Sequence, residues 1–194
     1  MKKYLFLILF LLLPSICFGA LVEGTNCGFV LVAPTDDPIG AGVTLMDGRS
    51  AVGKFVAPSG ATAITEIGWW CNTASEAANF EIGLYDHDDV NNEPENRLVA
   101  NQTNAKGTTA GWKKATLNYN ITAGTSYWIA AQLDNVATTT NIDVEVTAGA
   151  RRNYLTGATT LPNPWGTSSG TAGDLIAIYA VYTTGAERRI YLIQ

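Results

Sequence analysis

Histidine occurs once in the 194-residue chain, at His87 in the polar run Asp86-His87-Asp88-Asp89. No serine has the glycine-framed strand-to-helix context of a nucleophile elbow, so nucleophilic catalysis has little support. A zinc-ligand cluster is missing, and so is a glycine loop of the kind that cradles phosphate. Basic clusters are missing too. Lys and Arg number 12 against 17 Asp and Glu. The only arginine doublets, Arg151-Arg152 and Arg188-Arg189, read as solvated strand ends. An acidic chain without a basic patch is a poor partner for nucleic acid. No stretch after residue 20 keeps a helical period, and only Thr73-Ala74-Ser75-Glu76 has the spacing of a capping box.

Cysteine is scarce, and its distribution depends on the N-terminus. Met1-Lys2-Lys3 is a short basic start, Tyr4 to Leu13 is an unbroken apolar run, and Pro14 and Ser15 break it. Small residues follow at Cys17 and Gly19. This pattern predicts a secretory signal peptide over 1–19 and a single domain over 20–194, secreted to the extracellular space or periplasm. The apolar run is too short to span a membrane, and no other span is expected in the mature chain. A lipoprotein reading would acylate Cys17, but Ile16 before it is too bulky for that signal. Cleavage leaves Cys27 and Cys71 as the only cysteines. In an oxidising compartment two such residues are expected to form a disulfide.

Short runs rich in Thr, Val, Ile and aromatics, separated by Gly, Asn, Asp and Pro, are what the chain does contain. Strands are expected near 27–33, 50–56, 62–71, 79–85, 97–102, 112–119, 126–134, 141–146 and 174–183, with 188–193 as a last candidate. Spacing of this kind predicts an all-β fold, an antiparallel β-sandwich of jelly-roll type.

Within it one pattern occurs twice. Glu66-Ile67-Gly68 leads into Trp69-Trp70, and Glu81-Ile82-Gly83 leads into Leu84-Tyr85. Strand side chains alternate between faces. Ile67, Trp69 and Cys71 therefore share a core face, as do Phe80, Ile82 and Leu84. Glu66, Gly68 and Trp70 point the other way, as do Glu81, Gly83 and Tyr85. If the two segments form a hairpin, the register decides whether the glutamates can act as a pair. With Gly68 opposite Gly83 they stand roughly 13 Å apart. A slide of two residues brings the backbones to roughly 8 Å, within the range of about 5–9.5 Å that glycosidase carboxylates need.

The loop after the second copy, Tyr85 to Arg97, is rich in hard oxygen donors. Asp86, Asp88 and Asp89 are the candidate ligands, and the donor chemistry suits calcium. It is not an EF-hand, because the glycine and the final glutamate are missing at Asn91 and Arg97. The alternative is a solvated acidic turn. Tryptophan supplies a second signal. Trp128 faces away from Tyr127, Ile129, Ala131 and Leu133, and Trp165 lies in the loop Leu161-Pro162-Asn163-Pro164-Trp165-Gly166. A loop tryptophan either plugs the end of a core or offers a flat face to a sugar ring or a protein.

The segment from Arg97 to Leu133 carries Leu98, Gly111-Trp112, Leu117, and Ala123-Gly124-Thr125 ahead of Tyr127-Trp128-Ile129. This pattern resembles secreted jelly-roll β-sandwich domains of bacterial and phage-associated proteins, similar to carbohydrate-binding modules. The likeness spans roughly residues 50–183. It implies a sandwich and, by analogy, a non-catalytic binding module for glycan or another cell-surface ligand. Trp165, Trp70, Tyr85 and Glu81 are the expected ligand contacts. Two alternatives stand beside it. One is a structural or adhesive surface protein that assembles through edge strands, with the tail Arg188–Ile193 as a self-pairing strand. The other is a glycoside-acting enzyme using Glu66 and Glu81.

Overall fold

The structure, a computed structural model, describes residues 20–134, 137 and 139–185. The expected leader and the expected tail strand lie outside the described residues. Among the described residues the fold is all-β, without a helix, and no helix is long and apolar enough to cross a membrane.

The strands are β1 (Gly28–Val30), β2 (Gly42–Leu45), β3 (Arg49–Val56), β4 (Ala61–Cys71), β5 (Asn79–Asp88), β6 (Glu93–Ala105) and β7 (Gly111–Asn120). They continue as β8 (Ser126–Leu133), β9 (Asn141–Val146), β10 (Arg152–Thr156), β11 (Gly170–Ala172), β12 (Asp174–Ile176) and β13 (Ile178–Thr184). One sheet has the order β1-β13-β4-β7, a second β11-β10-β3-β8-β5-β6, and a third, smaller one β12-β9-β2. All pairings are antiparallel except β1 with β13. The small sheet runs on from the four-stranded one, since Asn72 N donates to Asn141 O and Trp70 N to Ala177 O.

The four- and six-stranded sheets pack face to face. Trp69 of β4 meets Phe80 of β5 edge-on at 6.0 Å between ring centroids, and Phe29 of β1 meets Tyr127 of β8 at 6.2 Å. Ile67, Trp69, Cys71, Phe80, Ile82 and Leu84 all lie in this core, as their alternation requires. The β-sandwich expected from strand spacing is thus the observed architecture.

Three local readings change. β4 and β5 do not form a hairpin: β4 pairs with β13 and β7, and β5 with β6 and β8, in the opposite sheet. The capping-box segment after β4 forms no helical turn. The disulfide is not formed either, and Cys27 and Cys71 are buried free thiols. The strand order explains why. Cys27 precedes β1, and β13 intervenes between β1 and β4. Two strand spacings amount to roughly 9.5 Å, beyond the ~7 Å between Cα atoms that a bridge tolerates. Cys71 Sγ donates instead to Thr73 O at 3.3 Å.

Candidate functional site

The outer face of the six-stranded sheet is where most of the predicted site residues gather. Cross-strand pairing aligns them in rows. Ser50, Gln132 and Glu81 form one row across β3, β8 and β5. Val52, Ala130 and Gly83 form the next, and Lys54, Trp128 and Tyr85 the third. The middle row carries small side chains, so it is a trough between two taller rows.

A strap, residues 157–169, lies in that trough. Leu161 sits over Gly83, where a Cβ would come within 2.9 Å of Leu161 Cδ1 and 3.0 Å of Val99 O. Glu81 Oε2 accepts the Leu161 N–H at 2.7 Å. Tyr85 donates its hydroxyl to Pro162 O at 2.6 Å, and its ring meets Trp165 edge-on at 5.2 Å. Trp165 N donates to Glu95 O at 2.8 Å, and its indole N–H to Ser168 Oγ at 3.0 Å. Val52, Tyr85, Trp128, Ala130, Leu161 and Trp165 form a second buried cluster outside the main core.

The expected ligand contacts are corrected by this packing. Trp165 is 2% exposed, Tyr85 is fully buried and Glu81 is 7% exposed. Trp70 is buried against Trp112 at 5.5 Å. None of the four presents a flat face to solvent. Of the two roles open to Trp165, the plug is the one it fills. Burial drives this outcome, because each aromatic ring hides on the order of 150–250 Å² that would otherwise face water.

The first copy of the pattern works the same way on the other outer face. Tyr179 of β13 lies over Gly68, where a Cβ would come within 2.5 Å of the ring. Its hydroxyl donates to Glu66 Oε1 at 2.7 Å, and its ring meets Trp112 at 5.1 Å. Lys114 pairs with Glu66 at 3.2 Å. Glu66 and Glu81 therefore face away from each other across two packed sheets, which stand about 10 Å apart. They cannot flank one glycosidic bond.

The acidic turn is also accounted for. Asp86 accepts from Asn96 N at 2.6 Å and Asn96 Nδ2 at 3.2 Å. Asp88 accepts from Val90 N, Asn91 N and Asn91 Nδ2 at 2.8, 3.2 and 2.6 Å. The Asn91 amide, with these two backbone N–H groups, holds the Asp88 carboxyl below its ordinary pKa. Asp89 points outward, its side chain 94% exposed. The three carboxylates do not converge, and no group of three or more His, Cys, Asp or Glu among the described residues could hold a metal ion.

What the residue types did not foreshadow is a cleft at the Lys54 end of the outer face. It has a volume of about 550 Å³ and opens between segment 21–23 and loop 147–151. Lys54, Asn92, Arg151 and Glu23 supply its polar groups, and Phe55 and Leu175 its apolar ones. Lys54 Nζ lies 2.8 Å from Asn92 Oδ1 and 2.7 Å from His87 Nε2. The other side of that ring receives the Trp128 indole N–H, at 3.1 Å to Nδ1. His87 is thus part of β5 with an 8% exposed side chain, where the sequence places it in a polar turn. Partial burial lowers the Lys54 pKa, Asp89 pulls it back up, and Arg151 adds to the lowering. Burial raises the Glu23 carboxyl.

A charged residue on an outward strand position reads as solvated, so Lys54 carried no signal by itself. The signal that was present is chemical: Trp128 has an indole N–H that needs an acceptor when buried, and His87 is the chain's one imidazole. Comparison with known proteins adds no kinship, since no family model, no curated protein and no solved structure matches the chain.

Proposed function

We propose that the protein is a secreted, non-catalytic binding module that holds an acidic glycan or a related anionic surface ligand in the Lys54–Arg151 cleft. The observation that carries this reading is the cleft itself. Its volume of about 550 Å³ falls in the 300–1,000 Å³ range usual for ligand sites. It joins an apolar floor to a few convergent polar groups, which is the composition such sites have. Two basic side chains line it, the permanently charged Arg151 and the amine of Lys54, in a chain whose formal net charge is −5. The Arg151 guanidinium spends its Nε–H on Asn153 Oδ1 at 3.1 Å, and its planar fork suits a carboxylate or sulfate. Recognition by an open aromatic platform is not part of this proposal, because the expected platform residues are buried.

Screening the folded chain against an array of neutral and acidic oligosaccharides tests the reading. Binding confined to acidic members is expected, and Arg151→Ala should weaken it by roughly tenfold or more, the scale of one charge-assisted hydrogen bond of about 1.5–3 kcal/mol. An array without a hit, or an affinity unchanged in folded Arg151→Ala, would defeat it. A second reading, assembly through edges, draws on Leu31 and Val32, 60% and 77% exposed just beyond the edge strand β1. Concentration-dependent sedimentation would favour that reading, and a monomer at all concentrations would remove it.

A further inference from the structure

We propose that Lys54 is held as a free primary amine and that the cleft captures a carbonyl-bearing ligand through it, as an imine. The evidence is a balance of donors and acceptors. An indole N–H can only donate, so His87 Nδ1, 3.1 Å from Trp128 Nε1, is an acceptor and carries no proton. The single proton of the neutral ring is then on Nε2. That proton faces Lys54 Nζ at 2.7 Å, the nearer of its two polar neighbours, since Asp89 Oδ1 lies 3.4 Å from Nε2. An ammonium has three donors and no lone pair, and it would set N–H against N–H at this distance. A neutral amine resolves the contact: its lone pair accepts from Nε2–H, and one of its own N–H groups donates to Asn92 Oδ1 at 2.8 Å.

The backbone supports this arrangement. Lys54 and Trp128 are directly opposed across β3 and β8, and Tyr85 and Trp128 across β5 and β8, so all three share the outer face. Trp128 is fully buried, and its indole cannot turn to water for another acceptor. Asn92 has φ of +55°, in the left-handed region that asparagine tolerates better than most residues. The charged and titratable groups around the amine are His87 on β5, Asp89 in the turn after it, Arg151 before β10, and Glu23 across the cleft. Partial burial and the Arg151 charge both lower the affinity of Nζ for a proton, against the pull of Asp89.

A lysine amine that has shed its proton in a cleft is a competent nucleophile toward carbonyl carbon. The Nζ lone pair leaves the Nε2–H hydrogen bond and forms the C–N bond, while one proton passes from the nitrogen to the carbonyl oxygen. The nitrogen then gives up its second proton, and the oxygen departs with two protons as water when C=N forms. One amine and one carbonyl compound give one imine and one water, with no oxidation or reduction. An aldehyde or keto acid fits best, because Arg151 lines the same cleft and its guanidinium suits a carboxylate. The inference rests on the cleft proposed above as the ligand site. The labelling below reads the amine and not glycan affinity, so each can fail without the other.

Reductive labelling with glyoxylate and cyanoborohydride on the folded chain, read by peptide mass spectrometry, tests it. Lys114, whose side chain is 52% exposed, is the internal reference. A lowered pKa raises the free-amine fraction near neutral pH. Lys54 should therefore be carboxymethylated faster than Lys114, with the midpoint of its pH profile at lower pH. Trp128→Phe removes the indole donor, lets Nδ1 carry the ring proton, and should shift the Lys54 profile toward that of Lys114. A wild-type Lys54 profile that coincides with that of Lys114 overturns the proposal. So does an unchanged Lys54 advantage in folded Trp128→Phe. If that variant does not fold, the wild-type midpoint decides alone.

Discussion

Gly68 and Gly83 hold the same place in two copies of one pattern, and each makes room for a side chain from a distant part of the chain. At Gly68 the neighbour is the Tyr179 ring, and at Gly83 it is Leu161. In both copies the glutamate two residues earlier takes the hydrogen bond that pins the visitor, at 2.7 Å in each case. Glu81 and Glu66 are therefore clamps, which neither a catalytic pair nor a wet strand face describes. Replacing Gly68 by alanine would drive a methyl group into the Tyr179 ring, which the Glu66 bond and Trp112 hold in place. Gly68→Ala is expected to destabilise by about 1–3 kcal/mol, the usual cost of overpacking. Tyr179→Phe, which deletes only the hydroxyl, should cost less, about 1 kcal/mol. Urea denaturation of both variants checks the order, and an equal or reversed order would show that the ring is free to move aside.

At the scale of elements, the strap 157–169 turns the outer face of a sheet into a second interior. Its ends are tied as well as its middle. Ala158 N donates to Gly48 O at 3.0 Å, Gln132 Nε2 donates to Ala158 O at 3.2 Å, and Ser168 Oγ donates to Glu93 Oε2 at 2.8 Å. Arg97 bonds Leu161 O through its guanidinium and Asn163 Oδ1 through its backbone N–H, the latter at 3.0 Å. Trp165→Ala opens the cluster around Tyr85 and should destabilise by about 3–5 kcal/mol. It should also speed hydrogen exchange across 157–169, since the strap's backbone bonds then open without global unfolding. A tryptophan that served only a ligand would show neither effect, and unchanged stability with unchanged exchange would rule out the structural role.

For the molecule as a whole, buried protonated groups set the alkaline limit. Burial, with the Glu23 carboxylate adding to it, pushes the Cys27 thiol from its ordinary value of 9.0 up to about 12. Burial raises Cys71 in the same direction. The Tyr85 and Tyr179 hydroxyls are raised above their ordinary value of 10.0 by burial first, with the Glu66 hydrogen bond adding to Tyr179. In each case the unfolded chain loses the proton at lower pH than the folded one. The stabilisation is complete below the ordinary value and is lost as pH rises toward the folded value. Each such group contributes a slope of about 1.4 kcal/mol per pH unit once the unfolded form is titrating. Stability measured under reducing conditions should therefore fall from near pH 9, and more steeply above pH 10. A melting temperature flat between pH 8 and 11 would contradict the burial of these groups.

Around the two Glu-Ile-Gly copies the two faces of β4 and β5 were decided by the sequence alone, because side chains on a regular strand alternate with a period of two. Ile67, Trp69, Phe80, Ile82 and Leu84 could be assigned to the core on that ground, and the spacing of turn residues sufficed for a sandwich. Short strands escaped the same reasoning: β2, β10 and β11 have only 4, 5 and 3 residues, too few for a period to stand out. Tertiary structure decided what no local pattern holds. It put β4 and β5 in opposite sheets, kept β13 between Cys27 and Cys71, and laid a loop from residues 157–169 over Gly83. It also brought Lys54 of β3, Trp128 of β8, and His87 and Asn92 of β5 and its turn together from three separate segments. Alternation states only that a side chain points away from one core. Whether it meets water, a strap or another side chain depends on contacts between distant residues, 113 positions apart for Tyr179 and Glu66. Those contacts are chosen by the packing of the entire chain, because a buried donor, acceptor or ring must find its partner wherever in the sequence that partner lies.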